Sequence, residues 1–217
     1  MVLASHLALA GSIWNEVDDG GGDAARLPNN AQVTAGVGPL TDIFGKLGNG
    51  VGGADMYLIR ITDFANFSAT SSPVGKNGVD DPALYLFNFS GHAIYGSDNI
   101  SAMNTQAMLP AGDPNGPNKN GLYFLLIAPS GNDPLNKFGN SIFPCGCTVG
   151  VLYPQTNNTV IDGYSATGAG ASGSGKYDIH LTGATFAVTP EPGTLGLIAL
   201  GAIAGGIRAR RSPTSRA

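Results

Sequence analysis

ALYLFNF (residues 83–89) and LYFLLIA (residues 122–128) decide the fold class. Both runs are short and rich in aromatic and aliphatic side chains. Both are apolar at successive positions, so a pleated strand of either presents hydrophobic groups on both faces. Such runs suit central strands buried against a neighbour. After the first of them, Ser90-Gly91 offers a tight turn, because glycine takes positive φ at little cost. A hairpin is therefore expected between residues 84–89 and 92–95.

Outward from this pair the pattern changes to alternation. MYLIRIT (56–62) sets Tyr57, Ile59 and Ile61 on one face, and residues 177–181 set Tyr177, Ile179 and Leu181 against Lys176, Asp178 and His180. Those are half-buried strands, and residues 184–188 add a last one. Gly, Pro, Asn or Asp bound each run. Helix signals are almost absent and no βαβ alternation occurs. The expected architecture is all-β, an antiparallel β-sandwich, jelly-roll-like or Ig-like, with long loops. Residues 29–53 and 131–175 are expected as loops or insertions. The second holds Cys145, Cys147, Asn157-Asn158 and a glycine-rich run at 168–175, with short strands near 148–153 and 160–164. Loops of such length are usually functional or mobile.

Only 12% of the 217 residues are charged, and 15 Asp and Glu against 11 Lys and Arg leave a net charge of −4. No basic stripe is present to displace counterions from phosphates, so nucleic acid is not an expected partner. Low charge with many small polar residues suits an extracellular domain.

The last residues read as an address. Pro190-Glu191-Pro192 precedes an apolar run at 194–207, and Arg208, Arg210 and Arg211 follow it. The run is uncharged for 14 residues, short of the roughly 20 of a comfortable bilayer span. A hydrophobic helix serving as a transient anchor is expected, with the arginines on the cytoplasmic side. In water its glycines and all-round apolarity would make a poor helix. This order of parts resembles the PEP-CTERM sorting signal of exopolysaccharide-producing Gram-negative bacteria. The resemblance implies exosortase, a membrane-embedded cysteine peptidase, as a partner that cuts near Pro190-Glu191-Pro192 and passes the protein to the surface. At the other end, MVLASHLALA (1–10) closes on Ala8-Leu9-Ala10, a small-x-small pattern that fits the remnant of a signal peptide. Its charged n-region is missing, which fits a start placed downstream of the true one or a truncated chain. Between the two ends, about 180 residues suit one domain, 11–189.

A second resemblance spans most of that domain. An acidic-polar segment runs from Trp14-Asn15-Glu16 to Asp23, and Gly53-Ala54-Asp55-Met56-Tyr57 enters a strand. A hairpin then begins at Asp81-Pro82-Ala83-Leu84-Tyr85-Leu86 with Gly91, an acidic turn lies at Ser97-Asp98-Asn99, and Gly121-Leu122-Tyr123-Phe124 enters another strand. The chain is similar in these features to the bacterial pre-peptidase C-terminal-type β-sandwich. It departs from that pattern in the extra residues between Asp98 and Gly121 and in the insertion after Ala128. The resemblance implies an accessory sandwich of secreted enzymes or surface proteins and names no substrate.

No catalytic constellation emerges. His92 and His180 lack the sequence partners of a metal pair such as His-x-x-x-His. Ser165, in Gly163-Tyr164-Ser165-Ala166-Thr167, fails the nucleophile-elbow pattern at its last position. The Gly48-Gly50-Gly53 and Gly168-Gly170-Gly173 spacings are expected by chance in a chain with 33 glycines, and neither sits between a strand and a helix. Acidic residues carry more information. Glu16, Asp18, Asp19 and Asp23 crowd one turn, Asp80 and Asp81 precede a strand, and Asp98 with Asn99 follows the hairpin. Loop oxygens of this kind suit structural calcium, with Asp18, Asp23, Asp80, Asp81 and Asp98 as candidate ligands. They suit ordinary acidic turns that bound strands still better. No other cofactor is expected. Cys145-Gly146-Cys147 is expected to form a small, strained disulfide outside the cell.

The sequence thus points to a non-enzymatic surface or exopolysaccharide-matrix protein of biofilms with a binding or scaffolding role. Tyrosines and asparagines of the insertion would face sugars. The alternative is a secreted polysaccharide or peptide hydrolase, or its accessory domain. That requires two of Asp18, Asp23, Asp80, Asp98 and Asp133 facing each other across a cleft, or a nucleophile with an oriented base.

Overall fold

The computed structural model describes residues 12–48, 53–144, 149–156, 159–165 and 174–189. The described residues form fourteen strands and two short 3-10 turns: β1 (Ile13–Asn15), β2 (Gln32–Val33), β3 (Asp42–Leu47), β4 (Asp55–Ile61), β5 (Ser68–Pro73), β6 (Pro82–Asn88), β7 (Ala93–Ser97), β8 (Met108–Leu109), β9 (Gly121–Pro129), β10 (Pro134–Leu135), β11 (Val151–Leu152), β12 (Gly163–Tyr164), β13 (Gly175–Thr182) and β14 (Ala184–Phe186). The fold is all-β, as expected.

The two doubly apolar runs become β6 and β9, neighbours at the centre of the larger sheet, paired Leu84 to Ile127 and Leu86 to Leu125. Its order is β11-β7-β6-β9-β4-β14, with β2 also on β4, and a second sheet runs β1-β3-β13-β5-β8. Tyr57, Ile59, Leu84, Leu86, Leu125 and Ile127 of the first sheet meet Ile43, Leu47, Ala69, Tyr177, Ile179 and Leu181 of the second in one buried cluster. Each large side chain buried there contributes roughly 1.5–3 kcal/mol.

The other face of β6 and β9 explains why these strands have no polar side. Met56, Leu58, Tyr85, Phe87, Phe124 and Leu126 are covered by Ile142, Phe143, Leu152, Ile161 and Tyr164, all from the segment expected as a long loop. That segment is a third layer. Its β10 and β12 pair with each other, β11 extends the main sheet beside β7, and His92 bridges Val160. The strands expected near 148–153 and 160–164 appear as β11 and β12, shorter than anticipated.

The hairpin forms as expected. Gly91 takes φ 79°, and Asn88 Oδ1 accepts from the backbone N–H groups of Ser90 and His92 at 2.9 and 3.1 Å. Its second strand runs Ala93–Ser97, two residues beyond the expected end.

The described part of residues 29–53 is not simply a loop, which corrects the sequence reading. It contains β2 and all six residues of β3. DIFGKL escapes notice because its inward positions are Ile43, Gly45 and Leu47, and glycine weakens the alternation. The glycine is required: a Cβ at position 45 would stand 2.2 Å from Tyr177 Oη and 2.9 Å from Glu16 Oε2. β5, of sequence SATSSP, has too little apolar content to signal a strand and is defined by pairing with β13 and β8. The sandwich is antiparallel except at β1–β3 and β2–β4, which run parallel.

Candidate functional site

Three groups of titratable side chains and one groove hold the polar chemistry of the described residues. The first group forms where the chain leaves β1 and re-enters at β4. Glu16 and Asp55 are each only 1% exposed. Both Glu16 oxygens accept backbone N–H bonds, from Ala24 at 2.8 Å and Lys46 at 2.9 Å. Tyr57 passes a hydroxyl hydrogen bond to Tyr177 at 2.5 Å, and Tyr177 donates to Asp55 Oδ2 at 2.7 Å. Asp55 Oδ1 has no hydrogen-bond partner. Asp23 joins this pair from the exposed side, and one oxygen of each of the three carboxylates lies within 4.8 Å of the other two. Burial, then the negative charge of Glu16, push the Asp55 carboxyl up to about 9, and burial raises Glu16 as well. Two such groups in contact do not both ionise without a counter-charge.

The second group closes one end of the main sheet. Asp81 precedes β6, Asp98 follows β7, and Ser130, Asn132 and Asp133 follow β9. Asp98 is fully buried, pushed up to about 7 by burial, held down by a hydrogen bond with Ser130, and raised by the charges of Asp81 and Asp133. One oxygen of Asp81, one of Asp98 and both side-chain polar atoms of Asn132 are buried without partners. Tyr85 Oη donates to Asp133 Oδ1 at 3.3 Å.

The third group lies on the outer face of the smaller sheet. His180 Nδ1 stands 2.6 Å from Asp42 Oδ1, and its Nε2 lies 3.3 Å from Asp178 Oδ2 and 3.4 Å from Ser72 Oγ. Ser72, His180 and Asp42 thus fall in the order of a hydrolase triad. Asp178 competes with the serine for the same nitrogen, and the seryl contact is long for an activated nucleophile. None of these residues lines the groove beside the hairpin turn or the cavity between Trp14, Asp23 and Gln32.

The sequence candidates therefore separate. Asp23 belongs to the first group, and Asp81 and Asp98 come together in the second. Asp18 is exposed and its N–H is held by Asn15 Oδ1 at 3.1 Å; it joins neither. Asp80 is exposed beside Asp81. Ser165 is structural, donating to Gly131 O and accepting from Asp133 N. His92 has a backbone role in the hairpin turn. Cys145 and Cys147, Pro190 to Pro192, Arg208, Arg210 and Arg211, and both ends of the chain lie outside the described residues. Among the described residues no helix is long and apolar enough to cross a membrane.

Asp55 was missed as a site residue, although a carboxylate heading the apolar strand MYLIRI is the signal that reveals it. Asp42 and Asp178 were missed because only the register of β3 with β13, His180 opposite Asp42, carries them to the histidine.

The groove, of about 1130 Å³, runs beside the hairpin turn and the 114–120 loop. Phe89 is 59% exposed and stacks on Phe124 with centroids 5.9 Å apart and planes 11° from parallel. Tyr153 donates its hydroxyl to Asp113 at 2.8 Å. Asn115, Asn118, Arg60 and Lys119 also line the groove, and no acidic side chain does.

A family model described as the PEP-CTERM protein-sorting motif matches residues 188–211. No curated protein and no solved structure matches the chain. The chain thus carries the C-terminal address of exported proteins sorted at the membrane and processed by exosortase.

Proposed function

We propose that the exported chain is a non-enzymatic surface protein that holds exopolysaccharide in the groove beside its hairpin. The sorting motif at 188–211 supports export, and the groove is the observation that supports the ligand. Sugar rings pack their C–H faces on aromatic planes and their hydroxyls on amides. Phe89 and Tyr153 offer the first, Asn115 and Asn118 the second. Aromatic residues present such area at low conformational cost. Arg60 and Lys119, with no acid among the lining residues, favour a polymer bearing carboxylates. In this reading the insertion contributes Tyr153 to the groove, while most of its apolar residues serve as structural cover.

Co-sedimentation with exopolysaccharide from a producing strain tests the reading. The wild-type chain is expected to bind saturably. The Phe89→Ala/Tyr153→Ala double variant should bind at least about tenfold more weakly while keeping its thermal midpoint. Equal binding by both proteins would reject the groove, and failure of the wild type to bind would reject the ligand.

A further inference from the structure

We propose that Glu16, Asp23 and Asp55 form a calcium site that ties the turn after β1 to the start of β4. The argument begins with placement. Three carboxylate oxygens, two from the turn after β1 and one from the start of β4, lie within 4.8 Å of one another, the spacing that ligands around one ion adopt. A second observation concerns the burial of one member rather than the spacing: Asp55 is 1% exposed and its Oδ1 has no hydrogen-bond donor. Burying a carboxylate oxygen unpaired is costly, so native structures supply a donor or a cation.

Glu16 accepts a backbone N–H bond on each oxygen while burial raises its carboxyl, so the contact between the two carboxyls is met either by a proton held between them or by a cation. Tyr177 already serves the other Asp55 oxygen. A cation between the carboxylates satisfies Asp55 Oδ1 and neutralises the pair together. All the ligand atoms are oxygen, which selects a hard ion. Calcium tolerates irregular shells of six to eight oxygens, whereas magnesium demands a near-ideal octahedron. Water fills the remaining positions from the side of Asp23, where a cavity of about 440 Å³ opens between Trp14, Asp23 and Gln32. Gly45 keeps the inner wall clear, since a Cβ there would stand 2.9 Å from Glu16 Oε2.

The chain's single tryptophan provides the assay. Trp14 donates to Gln32 Oε1 at 2.7 Å, and Gln32 donates to Glu16 O at 3.0 Å, so an ion at the site lies close to an indole. Terbium added to the full chain should show Trp-sensitised luminescence with one-to-one saturation, displaced by calcium. Calcium at 100 times its dissociation constant should raise the thermal midpoint by about 5 °C or more over chelator. Asp23→Asn touches only an exposed side chain, so it should leave the fold intact and weaken both effects by about tenfold. Asp55→Asn should abolish them. Absence of sensitised emission and of a calcium-dependent midpoint in the wild type would overturn the proposal and leave a proton shared by Glu16 and Asp55. Undiminished emission in Asp23→Asn would overturn it equally, by placing the ion elsewhere.

Discussion

Truncating Phe143 to alanine tests whether the insertion is a structural layer or a loop lying on a sandwich that is complete without it. Phe143 is fully buried, with its ring 4.8 Å from that of Tyr85 and 6.2 Å, edge-on, from that of Phe87. Removing a buried phenylalanine costs about 3–5 kcal/mol through lost transfer energy and the cavity left behind. The two ring contacts, each worth about 0.5–1.5 kcal/mol, place Phe143 in the upper part of that range. With a urea slope of about 2 kcal/mol/M for a domain of this size, a loss near 4 kcal/mol lowers the midpoint by about 2 M. Equilibrium urea unfolding of wild type and variant, followed by near-ultraviolet circular dichroism, measures it. A loss below about 1 kcal/mol with an unchanged slope would refute the three-layer reading.

Three further outcomes are expected. In chelator, stability should fall as pH rises from about 4 towards 9: the unfolded chain releases the Asp55 proton near the ordinary carboxylate value while the folded chain keeps it up to about 9. The loss is up to about 1.4 kcal/mol per pH unit, and a midpoint flat or rising between pH 5 and 8 would contradict it. Asp98→Asn should stabilise by on the order of 2 kcal/mol at pH 8 and by less at pH 5, because Asp98 titrates near 7 in the fold; denaturation at both pH values reads the difference. Gly45→Ala should cost about 3 kcal/mol or more by overpacking Tyr177 and Glu16, whereas Gly163→Ala, with no atom within 4 Å of the new Cβ, should be near neutral; equal thermal midpoints for the two would remove the packing argument.

What the sequence disclosed follows from how locally each feature is specified. The central strands β6 and β9 and the alternating β4 and β13 were legible because their apolar patterns are written within the strand. β3 and β5 were not, because Gly45 owes its place to Tyr177 and Glu16 from other segments, and Ser68–Pro73 is a strand only by virtue of β13 and β8 on either side. The insertion was located but misjudged in kind: nothing local shows that Phe143 and Ile161 lie over Tyr85 and Phe87. The acidic turns were seen as separate groups, and the fold brings Asp23 to Glu16 and Asp81 to Asp98. Asp55 was hidden as a partner of Asp23, since pairing a turn with a strand more than 30 residues away is the work of the whole sheet.

The seam that closes the domain sets the leash on which the sorting tail hangs. Val188 donates its N–H to Thr34 O at 3.1 Å and accepts from Gly36 N at 3.0 Å, so the body is stitched shut two residues before Pro190. Two residues reach at most about 7 Å. A peptidase reading Pro190-Glu191-Pro192 on the finished protein must therefore work against the wall of the sandwich, or first peel Val188 away from Thr34 and Gly36. Tension on the tail meets those two hydrogen bonds first, which makes the timing of folding against cutting a mechanical question as well as a chemical one.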